Sequence, residues 1–351
     1  MAAMPAMAMD DGIEEEMAKG IIIERIRRND PTLGINVALL NKNLGDHGAI
    51  LVSEALKQNY VVQEINLHTN SIREEGAKAL SEALKQNNTV KYIHLWDNNI
   101  GDEGAKALSE ALEQNTTLKS IDLSINDIGD KGVKALSEAL MHNDTLQVIG
   151  LGYNSIGTEG AKALSATLKQ NKALRGIHLE SNSIGDEGAK ALSEALPQNN
   201  TLGGLDLSGN NIKWEGFRAL NGALKNWNGT LTVLILQDNP GYHSDDGIKK
   251  EVKELLKRNK QRKRPTKPAG TGSTPPVTTL TKRKKEAAWI RRGGEESQRQ
   301  MEGAESKDGE DGAAEQICML PVAERRNADR ISPNIEDRKM KVRCLFSFFL
   351  F

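Results

Sequence analysis

The sequence predicts an α/β solenoid in which a parallel β-sheet lines the concave side and α-helices cover the convex side. The first observation behind this prediction is an asparagine that recurs every 28 residues. The second is that each 28-residue row holds a short segment of alternating apolar residues followed by a segment with helical spacing. A unit this small cannot bury its own apolar face, so neighbouring units must stack to form a continuous core.

The asparagine column defines the repeat and predicts about eight units. In the third unit, Ile93 and Leu95 alternate with other residues before Asn98, which is the period of a β-strand. Leu108 and Leu112 then follow at a spacing of four, which marks one face of a helix. The column consists of Asn70, Asn98, Asn126, Asn154, Asn182 and Asn210, with Lys42 before them and Asn239 after a one-residue insertion.

Other recurrent residues have predicted structural roles. The amides of the asparagine column should satisfy backbone groups of adjoining repeats that would otherwise be buried unpaired. A glycine column, which includes Gly104, marks places where helix and strand approach too closely for a larger side chain. A second asparagine column, which includes Asn87, closes the helices, and we expect a left-handed turn there. An acidic pair such as Asp102 and Glu103 suits the positive end of its own helix.

The run from Asn98 to Leu108 resembles the 28-residue subclass of leucine-rich repeats found in ribonuclease inhibitor and the NOD-like receptors. The resemblance covers about residues 33 to 259. It implies a leucine-rich-repeat horseshoe and a role in protein–protein recognition. The sequence contains neither the nucleotide-binding domain nor the death-fold domain that would complete such a receptor.

Composition divides the chain into three parts. Residues 1–32 are an N-terminal segment with a capping helix at 11–28, whose apolar side carries Met17, Ile21, Ile22 and Ile26. Residues 33–260 are the solenoid with a charged C-cap at 247–259, and residues 261–351 are predicted to be a disordered tail of basic and mixed charge. Residues 1–260 carry 28 basic and 35 acidic side chains, a net charge of -7, whereas the tail carries 19 and 13, a net charge of +6.

The same features indicate a cytoplasmic protein. Cys318 and Cys344 both lie in the tail, so no disulfide joins the repeats. The sequence shows neither a secretory signal nor a span of about 18 apolar residues. Two basic clusters, at 257–267 and 282–285, suggest an alternative role in nuclear import or nucleic-acid binding. We expect any nucleic-acid binding to occur only through the basic tail. We expect a monomer without cofactors.

The variable surface of the solenoid is the candidate binding site. Outward side chains of each strand stand six, four and two residues before the column asparagine, and one strand offers Tyr92, His94 and Trp96. Aromatic residues rimmed by polar groups are typical of interaction hot spots. We therefore expect a protein partner there, and expect Trp96→Ala to cost about 2 kcal/mol of affinity while leaving folding intact. The predicted site consists of Glu64, Asn66, His68, Tyr92, His94, Trp96 and Asp122.

Catalytic and metal-binding roles are less favoured by these residues. Neighbouring strands should place His94 beside Asp122, and a second histidine–aspartate pair lies at His178 and Asp206. Either pair resembles a general-base dyad, but neither has an evident nucleophile or an enclosed pocket, so cross-strand charge pairing is the simpler interpretation. A metal site is not predicted, because His68 and His94 lack a third ligand at a convincing position. We expect a non-enzymatic binding or scaffold protein.

One alternative function depends on Arg73. The Ran GTPase-activating proteins are built on a similar solenoid and supply residues from loops after the strands. Arg73 occupies a turn where other repeats carry Gly101 or Gly129, so a small GTPase is the alternative partner. The basic tail departs from the acidic C-terminal segment of that family, and an exposed loop arginine explains the residue more simply.

Overall fold

The computed structural model describes residues 11–226, 229–243 and 246–262. Strand and helix alternate through these residues. The strands are β1 (Asn36–Ala38), β2 (Glu64–Asn66), β3 (Tyr92–His94), β4 (Ser120–Asp122), β5 (Val148–Gly150), β6 (Gly176–His178), β7 (Gly204–Asp206) and β8 (Val233–Ile235). The helices are α1 (Asp11–Arg27), α2 (Gly45–Leu56), α3 (Glu74–Gln86), α4 (Gly101–Gln114), α5 (Asp130–His142), α6 (Thr158–Gln170), α7 (Gly185–Ala195), α8 (Trp214–Asn226) and α9 (Asp246–Arg262).

The strands form one parallel sheet whose order follows the sequence from β1 to β8. Each strand begins six residues before its column residue, and the strands pair without a shift, so Tyr92 faces Glu64 on one side and Ser120 on the other. Helices follow every strand and pack against their neighbours in the same order. The predicted α/β solenoid is therefore confirmed.

The core lies between the sheet and the helices. Alternate strand residues point to opposite faces of a sheet, and in β3 Ile93 turns inward with Leu95 beyond it. Leu108 and Leu112 of α4 meet them, and all four side chains are almost fully buried. We use the term concave face for the opposite side of the sheet, which is turned away from the helices.

The asparagine column links each repeat to the one before it. The side-chain oxygen Oδ1 of Asn98 accepts hydrogen bonds from the backbone amides of Asn70 at 3.1 Å and Ile72 at 2.9 Å. Its amide nitrogen donates to the carbonyls of Leu67 at 3.1 Å and Leu95 at 2.9 Å. Buried backbone groups of two repeats are thus satisfied by one side chain, as predicted.

The second asparagine column differs from its prediction in conformation. Asn87 follows α3 with φ −84° and ψ 127°, so the backbone is extended rather than left-handed. Its side chain explains the preference instead: it donates to the carbonyls of Leu56 at 2.7 Å and Asn59 at 2.9 Å in the preceding repeat. Its oxygen accepts from the amide of Val90 at 2.8 Å, and this fixes the chain leaving the helix. The solenoid therefore has two asparagine ladders, one at each end of the strand-forming segment.

An aspartate at the start of most helices caps the helix of the following repeat. Asp102 accepts from the amides of Gly129 at 2.7 Å and Gly132 at 2.8 Å, which open α5. The same pair of bonds joins Asp46 to the start of α3. The acidic residues were expected to serve their own helix, but these bonds cross between repeats.

Three repeats have another residue where this aspartate stands, namely Glu74, Thr158 and Trp214, and a changed turn follows Glu74 and Thr158. Glu74 precedes the repeat of Gly101, and Thr158 precedes the repeat of Gly185. Both glycines adopt positive φ, 62° and 64°, and each amide bonds to the carbonyl of the next column asparagine at 2.9 Å. Where the aspartate is present, Gly129 has φ −101°. The residue at one repeat position therefore selects between two turn conformations in the next repeat.

The glycine column is tightly packed, although its neighbours are not those expected. A Cβ at Gly104 would lie 2.6 Å from Cγ2 of Ile100 and 3.1 Å from Cβ of Ala77. These atoms belong to the turn before the helix and to the preceding helix, not to a strand. A side chain is excluded here because adjacent helices approach closely.

One helix stands at each end of the stack, α1 before the first strand and α9 after the last. Helix α1 buries Ile23 and Ile26, whereas Met17 and Ile21, expected on the packed side, are 54% and 57% exposed. At the other end Val252 of α9 packs against the core. None of the helices among the described residues is long and apolar enough to cross a membrane. The predictions for the tail beyond residue 262 lie outside the described residues.

Candidate functional site

The concave face changes in accessibility along the sheet. Glu64 and Asn66 on β2, and Tyr92 and His94 on β3, are half-buried. The corresponding residues on the middle strands are buried, with exposed fractions of 3% or less. They are Ser120 at 1%, Asp122 at 1%, Val148 at 3%, His178 at 1% and Asp206 at 0%. The accessible strand side chains of the predicted patch are therefore those on β2 and β3.

His68 and Trp96 form the apolar centre of the predicted patch. Their rings stack with centroids 4.0 Å apart and an interplanar angle of 20°. His68 is 4% exposed and Trp96 is 5% exposed, and the His68 ring nitrogen Nδ1 lies 2.9 Å from the Thr69 hydroxyl. Trp96 is buried and not outward-exposed as expected, and because a buried indole contributes to packing we expect Trp96→Ala to lower stability as well.

The accessible residues of the predicted patch place polar groups around the His68–Trp96 stack. His94 Nε2 lies 3.2 Å from Glu64 Oε1 on the neighbouring strand. The sheet register places His94 opposite Asp122, as the sequence predicted, and its ring also contacts Glu64 on the other neighbouring strand. The Asn66 side-chain oxygen accepts from the His68 amide at 3.3 Å, which fixes the orientation of the Asn66 side chain. The side chains of β2 and β3 thus form one continuous polar and aromatic surface.

Asp122 closes the patch on the side of β4. Burial raises the pKa of its carboxyl group, and the hydrogen bond from the Ser124 amide, 3.0 Å long, and the nearby charge of His94 act in the opposite direction. A buried carboxylate in this position is a structural anchor more than a contact group.

A second cluster on the concave face joins His178 and Glu180 to Asp206. The ligand atoms of the three residues all lie within 4.8 Å of one another. Burial lowers the pKa of His178 to about 3 and raises that of Asp206 to about 6. Burial, and next the charge of Asp206, raise the pKa of Glu180 well above its usual value. The sequence identified the His178–Asp206 pair but missed Glu180, which stands two residues after His178 on the same face.

This arrangement differs from a hydrolytic triad. The Ser208 hydroxyl donates to Asp206 Oδ1 at 2.7 Å, so it is bonded to the carboxylate and not to the imidazole. A nucleophilic serine needs the histidine as its base. Among the described residues, this cluster therefore gives no support to acyl-transfer chemistry.

Arg73 lies in the turn before α3, where its side chain is exposed. Its amide donates to Asp46 Oδ1 at 2.7 Å, and the equivalent residue Lys213 makes the same bond to Asp186 at 2.8 Å. A basic residue at this position therefore recurs within the solenoid and is held by the aspartate cap. Gly129 and Gly157 make the same backbone bond, so this bond does not depend on the arginine side chain.

Comparisons with known proteins agree with the repeat architecture. The family model described as "Leucine Rich repeat" matches four consecutive segments, at residues 86–109, 114–137, 142–165 and 170–193. Together with the sheet and helices, these matches identify the fold as a leucine-rich-repeat solenoid. The comparison with curated proteins finds no match.

Two solved structures are similar at low identity. One is the tropomodulin C-terminal domain of Caenorhabditis elegans, with 17% identity and a TM-score of 0.34, covering 51% of this chain and 92% of that one. The other is actin-binding site 2 of leiomodin-1, with 19% identity and a TM-score of 0.31, covering 70% of this chain and 90% of that one. Likeness at this level does not transfer the binding properties of either protein.

Proposed function

We propose that this leucine-rich-repeat chain is a non-enzymatic binding or scaffold module, and that its protein partner contacts the concave face over β2 and β3. The observation that carries the proposal is the half-buried surface of Glu64, Asn66, Tyr92 and His94 around the His68–Trp96 stack. Aromatic side chains held rigidly and rimmed by polar groups are typical of interface centres, because they lose little entropy on binding.

Charge further defines the partner. Glu64 and Asp97 are half-buried on this surface, and residues 1–260 carry a net charge of -7. Complementary charge raises association rates and disfavours partners of the same sign. We therefore expect the partner to present basic side chains around an apolar or aromatic group that meets Tyr92.

The length of the repeat favours the ribonuclease-inhibitor-like subclass within the leucine-rich repeats. Each 28-residue unit carries a full helix of 11 to 14 residues in α2 to α8, as a repeat of that length allows. A helix needs more width than a strand, about 8 to 10 Å against about 4.8 Å, so such a stack bends toward its sheet. The bend would bring the side chains of several strands onto one partner.

The proposal is tested by replacing accessible residues of the patch in the full chain. Wild type and a Tyr92→Ala/His94→Ala variant are used as baits in quantitative affinity purification, and each captured protein is then purified and titrated by calorimetry. The control is Glu159→Ala/Lys162→Ala, which removes an exposed 2.7 Å ion pair on α6 without changing the net charge.

The expected result is a partner that wild type and the control variant bind equally and that the patch variant binds at least tenfold more weakly. Circular dichroism of all three proteins checks that the fold is retained. Equal affinity of the patch variant for every purified partner would overturn the proposal.

A further inference from the structure

The concave face carries a second candidate site on β6 and β7. His178 lies on β6, Glu180 follows two residues later on the same face, and Asp206 on β7 is the direct strand partner of His178. His178 Nδ1 is 3.9 Å from Glu180 Oε2, and the ligand atoms of all three residues lie within 4.8 Å of one another. The two strands are fixed by the sheet, so this proximity is a property of the rigid part of the fold.

Two carboxylate oxygens in this cluster have unsatisfied bonding capacity. Glu180 is 2% exposed and Asp206 is 0% exposed, and neither Glu180 Oε2 nor Asp206 Oδ2 has a hydrogen-bond partner among the described residues. Asp206 Oδ1, in contrast, accepts from the Ser208 amide at 2.9 Å, which orients the carboxylate and leaves the second oxygen for another contact. Buried carboxylates without such a contact are costly unless a cation or a proton compensates them.

The neighbouring repeat makes room for the cluster. Gly152 precedes Glu180 by one repeat, and a Cβ at that position would overlap the Glu180 carboxylate. The strand partner of His178 on the other side is Gly150. Small residues therefore stand where other repeats carry larger concave side chains such as Trp96.

We propose that His178, Glu180 and Asp206 form a binding site for a divalent transition-metal ion, with Zn²⁺ as the favoured ion. One imidazole and two carboxylates are a ligand set that suits Zn²⁺, and imidazole disfavours Mg²⁺ and Ca²⁺, which prefer oxygen ligands alone. A bound cation would supply the missing partner of both carboxylate oxygens and remove the repulsion between the two acids.

The solenoid contains a matched control for the third ligand. Asp122 occupies the position of Asp206 three repeats earlier, is equally buried, and accepts the same bond from the residue two places on, Ser124, at 3.0 Å. Asp122 faces His94 on β3 as Asp206 faces His178, but Trp96 stands in the position of Glu180, so one of the two acids is missing there. Asp122→Asn therefore repeats the chemical change and the burial of Asp206→Asn without removing a proposed ligand, although the charge of Asp122 reaches Glu180.

The test measures Zn²⁺ binding to the full chain after removal of metal with a chelator. Cys318 and Cys344 are replaced by serine in every protein, so that thiolates of the tail do not bind the ion. Calorimetric titration with Zn²⁺ is expected to give one site, weakened about tenfold or more by Asp206→Asn or His178→Ala and weakened far less by Asp122→Asn.

A second measurement distinguishes loss of the metal site from loss of the fold. Co²⁺ is added to the same proteins, and the visible absorption of a nitrogen- and oxygen-ligated ion is compared, while circular dichroism monitors the helices. Gly152→Ala should also weaken the site by displacing the Glu180 carboxylate. The proposal is overturned if wild type binds no more Zn²⁺ than His178→Ala, or if Asp122→Asn weakens binding as much as Asp206→Asn.

Discussion

Removing one column asparagine should destabilise the whole solenoid, and Asn98→Ala is the sharpest case. Asn98 is 5% exposed and lies between the second and third strands of the stack. Its side-chain oxygen is the acceptor for the amides of Asn70 and Ile72. Neither amide has another acceptor among the described residues, so the substitution leaves two buried donors unpaired.

The magnitude follows from those two donors. An unsatisfied buried amide costs about 1 to 3 kcal/mol, so two of them predict a loss of about 2 to 6 kcal/mol in the free energy of unfolding. The carbonyls of Leu67 and Leu95 add less, because each keeps a second bond, from Asn70 at 3.0 Å and from Asn126 at 2.8 Å respectively.

The assay is urea unfolding followed by circular dichroism, with Asn99→Ala as the control. Asn99 is the next residue and is exposed, so its substitution should change stability by less than about 0.5 kcal/mol. If Asn98→Ala is no more destabilising than Asn99→Ala, the account of the asparagine ladder is refuted.

Three further predictions have defined outcomes. Gly101→Ala should lower the free energy of unfolding in urea by about 1 to 2 kcal/mol, because Gly101 has φ 62°. Gly129→Ala should lower it far less, because Gly129 has φ −101°. Equal losses in the two variants would contradict the two-turn interpretation. Trp96→Ala should lose about 3 kcal/mol of stability because it removes a buried, stacked indole, and an unchanged unfolding midpoint would disprove that packing role. Added full chain should not accelerate GTP hydrolysis by Ran-like GTPases, and an acceleration that Arg73→Ala abolishes would restore the GTPase alternative.

The architecture is readable from the sequence because its determinants repeat. The spacing of Asn98 from its equivalents fixes the period, and the alternation of Ile93 and Leu95 fixes which side of each strand faces the helices. The interior and the register of the sheet follow from those two facts. The same regularity makes the concave residues identifiable from the amino-acid sequence alone.

The interactions that the sequence did not reveal join residues about one repeat apart. Asp102 caps the next helix across 27 to 30 residues, and Asn87 bonds to carbonyls 28 and 31 residues earlier, whereas propensities describe only the local chain. Exposure was also misjudged, because Trp96 stands in an outward column yet stacks on His68. The importance of Glu180 became evident only in the structure, where it lies near Asp206 of the neighbouring strand as well as near His178.

The central claim is that accessible side chains on β2 and β3 bind a protein partner. The most direct measurement is the calorimetric dissociation constant of a purified partner for wild type and for the single variant Tyr92→Ala. A hot-spot contact of about 2 kcal/mol predicts a constant about 30-fold larger for the variant, with the fold unchanged by circular dichroism. Constants that agree within about twofold for every purified partner would contradict the claim.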